Sequence, residues 1–127
     1  MGMLHALLTC MLAAALRFGG YVAVASANLT DADLYAQDMR DSTLRYANLT
    51  GVRFAHANLT DSDLTGANLT DADLLSTVLA GANLTDADLT GASMSANLSG
   101  VEWSNTTCPD GSNSDDVGGT CENNLWL

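Results

Sequence analysis

The sequence is poor in the residues that carry most catalytic and binding chemistry. It has no Lys, four Arg and two His, and aromatic residues make up 6% of the chain. The 15 Asp and Glu set the formal net charge at −11, a balance that repels nucleic acid phosphates. Because no acid, base and nucleophile are clustered in the sequence, composition argues against an enzyme.

Proline occurs once and Gly eleven times, which excludes a proline-rich disordered chain and a collagenous one. The 127 residues correspond to about one domain. Hydrophobic residues reach 47%, but most of them are Ala and Leu. A core built on large aromatic rings is therefore not expected.

A five-residue repeat dominates the chain from residue 27 onward. Its units read ANLTD, ADLYA, QDMRD and so on, with a small residue two positions before a central apolar one. The unit at residues 92–95 is one residue short, so the register slips once. Sixteen central positions result. Eleven of them make up the predicted core ladder: Leu29, Leu34, Leu49, Phe54, Leu59, Leu64, Leu69, Leu74, Leu84, Leu89 and Trp103.

A period of five fits neither an α-helix nor a long alternating strand. Within one unit, however, the small and the central residue lie two apart, so a short extended stretch points both to the same side. The Thr-Asp and Thr-Gly pairs that follow suit tight turns. Stacked strand-and-turn units predict a solenoid with a thin column of Leu and Ala inside.

Tandem A-(N/D)-L-x-x units of this kind resemble the pentapeptide-repeat family over residues 27–105. The resemblance implies an all-β fold, a right-handed quadrilateral β-helix with four units per coil and hence about four coils. Open coil ends would then need caps, and self-association through them is an alternative. Trp103, the last and largest member of the ladder, is expected to plug one end.

Residues 1–26 precede the repeat and contain a mostly apolar run, residues 3–16, that is too short for a stable membrane span. One interpretation is a secretory leader with small residues at Ala25 and Ala27 before the cleavage point. The other is an N-terminal helix that ends at the Gly19-Gly20 pair and caps the first coil. The sequence leaves both open.

Residues 106–127 form a polar tail in which Cys108 and Cys121 bracket a loop. The tail resembles that of exported pentapeptide-repeat proteins, which implies a disulfide worth about 3 kcal/mol from loop closure. The third cysteine, Cys10, lies in the possible leader, so cleavage of a leader would leave Cys108 and Cys121 as the two remaining cysteines. Two reduced cysteines in a cytoplasmic protein are the alternative.

Oxygen ligands for Ca²⁺ are offered in the same loop by Asp110, Asn113, Asp115 and Asp116, although their spacing does not match an EF-hand. A solvated, turn-rich loop is the competing interpretation. Thr residues spaced twenty apart would line up on one face of the rod, which suggests ice binding as another hypothesis. The simpler interpretation is that Thr is a favourable residue in strands. No cofactor and no catalytic residue is predicted.

The sequence thus predicts a non-enzymatic structural or protein-interaction module, extracellular or periplasmic, with a protein partner that it does not identify. The family resemblance implies an alternative: an acidic rod in the cytoplasm that imitates duplex DNA and inhibits a type II topoisomerase such as gyrase. Direct nucleic acid binding is not expected in either case.

Overall fold

The computed structural model describes residues 25–124. The N-terminal segment, with its leader or capping-helix interpretation, lies outside these residues except for its last two positions. Two strands are long enough to define, β1 (Asp73–Val78) and β2 (Ser93–Asn97), and they pair in parallel. A single 3-10 turn, Ser114–Asp116, is the only helical element of the described chain.

Isolated parallel bridges make up the rest of the architecture, and they join residues twenty apart. One file of bridges runs from Asn28 to Asn48, Asn68 and Asp88, and others start at Asp33, Asp38 and Thr43. We call each such twenty-residue return of the chain a coil. The backbone polar groups are therefore satisfied between coils rather than within an extended sheet, as in a solenoid.

The one-residue slip in the repeat is visible in the bridge spacing. Asn83 pairs with Glu102 and Asp88 pairs with Thr107, so these partners are nineteen apart. The shortened unit lies in β2, where pairing with β1 also becomes irregular between Leu75 and Val78. The deletion is absorbed by extended chain in place of a turn.

Each corner of a coil is a four-residue turn whose third residue has a positive φ. For example, the amide of Ala32 donates to the carbonyl of Leu29 at 3.0 Å, and Asp31 between them has a φ of 58°. A left-handed residue at the third position defines a type II turn, which Gly adopts freely and Asp tolerates. This explains why repeat units end mostly in Asp or Gly.

The interior is a continuous column of central side chains. Every central residue from Leu29 to Met94 is at most 1% exposed, Phe54 included, and Trp103 is 6% exposed. The residues two positions before the central ones from Leu29 to Met94 are buried beside them, except Ala27 and Gln37, which are half-buried. Leucine therefore stacks on leucine along the axis, and its burial supplies the main stabilisation of the fold.

Candidate interaction surfaces

The outer side chains of the repeat are organised by local hydrogen bonds. In an Asn-Leu-Thr unit such as Asn48 to Thr50, the Asn Oδ1 accepts from both the amide (3.2 Å) and the hydroxyl (2.7 Å) of the Thr. Seven further Asx-x-Thr/Ser triplets make the same pair of bonds: residues 28–30, 58–60, 63–65, 68–70, 88–90, 97–99 and 110–112. Most repeat side chains are thus held in fixed conformations that serve the turn.

One corner departs from this pattern and carries an aromatic and cationic cluster. The guanidinium carbon of Arg53 lies 4.7 Å from the ring centroid of Tyr35, and the ring of His56 meets the Tyr35 ring edge-on at 5.4 Å. Arg53 also reaches the Asp33 carboxylate at 3.4 Å. We call Tyr35, Arg53 and His56 the Tyr35 cluster.

The Tyr35 cluster is exposed but held in place. Tyr35 is 44% exposed, and Leu75, two coils further along the same file, is also 44% exposed. Cation–π contact and aromatic edge contact each restrict the rings at a modest gain in stability. Tyr and Arg on a rigid scaffold are the residue types that most often anchor protein interfaces.

Charge is distributed unevenly along the coils. Residues 57–124 contain 11 Asp and Glu and no Lys or Arg, while Arg40, Arg45 and Arg53 all lie in residues 25–56 among four Asp. Each of these Arg residues contacts an Asp within 4.0 Å. Paired hydrogen bonds from Arg40 lower the pKa of Asp38. Except for Asp63, which Arg45 contacts, the acidic residues of the later coils have no ion-pair partner among the described residues.

The C-terminal tail closes one end of the column through a further repeat unit. Thr106 is buried, Thr107 bridges to Asp88, and Cys108 is fully buried in the central position of the unit. Cys121 is also fully buried, with its Sγ 2.08 Å from that of Cys108 and the two Cα atoms 5.3 Å apart. The disulfide thus lies at the end of the leucine column, beside Trp103.

Hydrogen bonds fix the rest of the tail on this last unit. The amide of Ser114 donates to the carbonyl of Thr106 at 2.8 Å, and the Ser114 hydroxyl donates to the carbonyl of Trp103. The carboxylate of Asp115 accepts from the amide of Asn105 at 3.0 Å. The tail is therefore a folded cap.

Three of the four candidate calcium ligands, Asp110, Asn113 and Asp115, accept hydrogen bonds within the cap. Hydrogen bonds from Ser112, and next from Asn124, lower the pKa of Asp110, while Asn113 caps the 3-10 turn by accepting from the Asp115 amide. Asp116 is exposed. Within residues 25–124 no three His, Cys, Asp or Glu side chains converge as a metal site would require.

Tyr35 and His56 lie in different repeat units, with nothing adjacent in sequence that links them, and the structure brings them together with Arg53. The signal was available, since side chains about twenty apart are neighbours on adjacent coils. Tyr46 contacts Arg45, whose guanidinium carbon lies 5.7 Å from the ring centroid.

No helix among the described residues is both long and apolar enough to cross a membrane.

Stacked five-residue units with parallel bridges twenty residues apart define a β-solenoid. Eight copies of the pentapeptide repeat are matched by the model of that family, over residues 27–66 and 57–95. The chain belongs to the pentapeptide-repeat family. No curated protein sequence matches it significantly.

Solved structures include similar solenoids. A pentapeptide repeat protein from the cyanobacterium Cyanothece 51142 is 34% identical with a TM-score of 0.65, over 66% of this chain and 58% of that one. The chain thus spans little more than half of that relative's length. A pentapeptide repeat protein from the Arabidopsis thaliana thylakoid lumen is 30% identical with a TM-score of 0.56, over 77% of this chain and 72% of that one.

Proposed function

We propose that this protein is an exported, non-enzymatic solenoid that presents its outer surface to a protein partner. The observation that carries the proposal is the Tyr35 cluster, because it interrupts an otherwise self-satisfied array of Asx and Thr side chains. The interior supports the non-enzymatic part of the proposal, because the column is filled mainly by apolar Leu and Ala side chains. A rigid, prearranged surface binds with little loss of conformational entropy.

Export is supported by the cysteines and by one relative. A fully buried disulfide suits an oxidising compartment outside the cytoplasm. The similar Arabidopsis protein is a protein of the thylakoid lumen, on the far side of a membrane. We accordingly favour a cleaved leader ending before Asn28, and an extracellular or periplasmic location.

The proposal includes the finer geometry of the rod, a right-handed quadrilateral helix of about four coils. The twenty-residue bridge spacing supports four units per coil. The strong preference of parallel crossover connections for the right hand supports the handedness.

A photo-crosslinking amino acid at Tyr35 tests the interaction surface in the native host. We expect one discrete protein adduct from Tyr35, and none from the same amino acid at Tyr46, an equally aromatic and exposed position on another corner. Equal labelling from both sites, or no adduct from either, would count against the proposal. The intact mass of the secreted protein reports leader removal and the two hydrogens lost in a disulfide.

A second candidate is the acidic DNA mimic, which the excess of acidic residues in 57–124 favours. Such a rod would compete with DNA phosphates for basic protein surfaces. It should inhibit supercoiling by gyrase at modest salt, and no inhibition at high protein concentration removes it. Thermal hysteresis and calcium-dependent melting test the remaining ice-binding and calcium-binding alternatives.

A further inference from the structure

The last coil leaves part of its backbone edge without a partner. In the preceding coil the amides of Leu79 and Gly81 donate to carbonyls of the last coil at 2.9 and 2.8 Å. The equivalent amides of Leu98 and Gly100 have no hydrogen-bond acceptor among residues 25–124, and the carbonyl of Val101 likewise has no donor there. We call residues 93–101 the open edge.

Side-chain burial shows the same gap in the cap. Leu98 and Val101 are half-buried, whereas Leu79 and Ala82, at the equivalent positions one coil earlier, are at most 1% exposed. The tail covers the neighbouring side of this coil, from Trp103 onward. The open edge therefore combines unpaired backbone groups with accessible apolar surface.

The open edge also lacks the usual protection of an edge strand. Residues 92–101 contain no charged residue and no Pro. Charged side chains and Pro are two of the devices by which soluble proteins prevent strand addition at such an edge. Their absence makes this stretch competent to pair with another extended chain.

Charge indicates which extended chain fits. The coils behind the open edge and the tail beside it belong to residues 57–124, which carry 11 acidic residues and no Lys or Arg. A second copy would bring a like charge of −11 to this end and be repelled. A basic segment would be attracted, and its approach would weaken with salt.

We propose that the open edge binds an extended, basic segment of a partner protein by strand addition. The segment runs beside β2 and bends with the Leu98–Val101 turn, so that it meets the amides of Leu98 and Gly100 and the carbonyl of Val101. It places one apolar side chain over Leu98 as the next coil would. In this mode of binding, backbone hydrogen bonds supply the affinity, and the contact of the apolar side chain with Leu98 supplies the specificity. The inference rests on the proposed interaction function and names its partner chemistry.

The test uses the full chain and a short fluorescent peptide of Lys and Thr around one Leu, with an Asp-for-Lys peptide beside it. Val101→Lys places a cation on the open edge. Val78→Lys is the matched control, since Val78 is also half-buried but bridges coils on both sides. We expect anisotropy to show about tenfold weaker binding of the Lys peptide to Val101→Lys and less than about twofold change for Val78→Lys.

Hydrogen exchange supplies the second readout, with slower exchange at Leu98 and Gly100 when the Lys peptide binds. Equal affinity for the two peptides, equal effects of the two variants, or unchanged exchange at these amides would overturn the inference. Protection that grows with protein concentration in the absence of peptide would assign the edge to a second copy instead. A specific adduct from Tyr35 with no peptide binding would leave the proposed function standing while this inference fails.

Discussion

Removal of the Cys108–Cys121 link should destabilise the protein by an amount set mainly by loop closure. The two residues are 13 apart in sequence, for which the chain-entropy model gives about 3 kcal/mol. Both side chains are fully buried, so replacing them with Ala also removes packing at the end of the column. We therefore expect the double variant Cys108→Ala, Cys121→Ala to lose about 3 kcal/mol or somewhat more.

The loss can be read as a melting shift. With about 100 described residues and an unfolding entropy of about 2.1 cal/mol/K per residue, 3 kcal/mol corresponds to about 14 °C. Circular dichroism follows the solenoid as a whole, and urea titration gives the free energy of unfolding. Trp103 fluorescence adds a local probe, because the backbone carbonyl of Trp103 accepts a hydrogen bond from Ser114 of the cap and its buried side chain belongs to the same core cluster as the two cysteines.

Reduction of the wild-type protein is the matched control for the double variant. Reductant should lower the wild-type midpoint to near that of the variant and should leave the variant unchanged. A variant within about 1 kcal/mol of the wild type, or a fully reduced wild type that melts at the oxidised temperature, would refute the view that the link holds the cap.

Three further substitutions test the column, a corner and the tail. Ser62→Ala should stabilise the protein by about 1 kcal/mol in urea titration, because the Ser62 hydroxyl is buried with no hydrogen-bond partner among residues 25–124, whereas Ser42→Ala removes a bonded hydroxyl and should not stabilise. Gly51→Ala should cost about 1–2 kcal/mol in the same assay, since Gly51 has a φ of 67° and a Cβ there would lie 2.2 Å from an aspartate oxygen of the preceding coil; a cost below about 0.5 kcal/mol would contradict this. Hydrogen bonds from Ser112 lower the pKa of Asp110, so its carboxylate stabilises the tail above the unfolded pKa of about 3.9 and that contribution disappears as the pH falls further; Asp110→Asn should remove this acid sensitivity of tail amide exchange.

The stacking of the coils could be predicted because the five-residue period is visible directly in the order of residues along the chain. The left-handed corner follows from Asp or Gly at the end of a unit, and the shortened unit in β2 follows from counting. Membership of the pentapeptide-repeat family was likewise predicted from the A-(N/D)-L-x-x units and is confirmed.

Other features depended on contacts that a linear pattern does not display. Thr106 and Cys108 repeat the small and central spacing, yet Cys is not an obvious core residue until its disulfide partner folds back. The Tyr35 cluster required residues from two coils to be aligned. The open edge of the last coil could not be predicted from the sequence, because it depends on how much of that coil the C-terminal tail covers. Only the packing of the tail decides this.

The turns described above also limit how such a rod can change length. At one corner the side chain of Asp31 occupies the space over Gly51, and Asp71 does the same over Gly91. Insertion of a single coil here would place two Asp residues, or two Gly residues, at the same corner of adjacent coils. Duplication in blocks of two coils preserves the alternation at this corner, whereas the file of Asp41, Asp61, Gly81 and Gly100 already places like residues on adjacent coils and sets no such requirement.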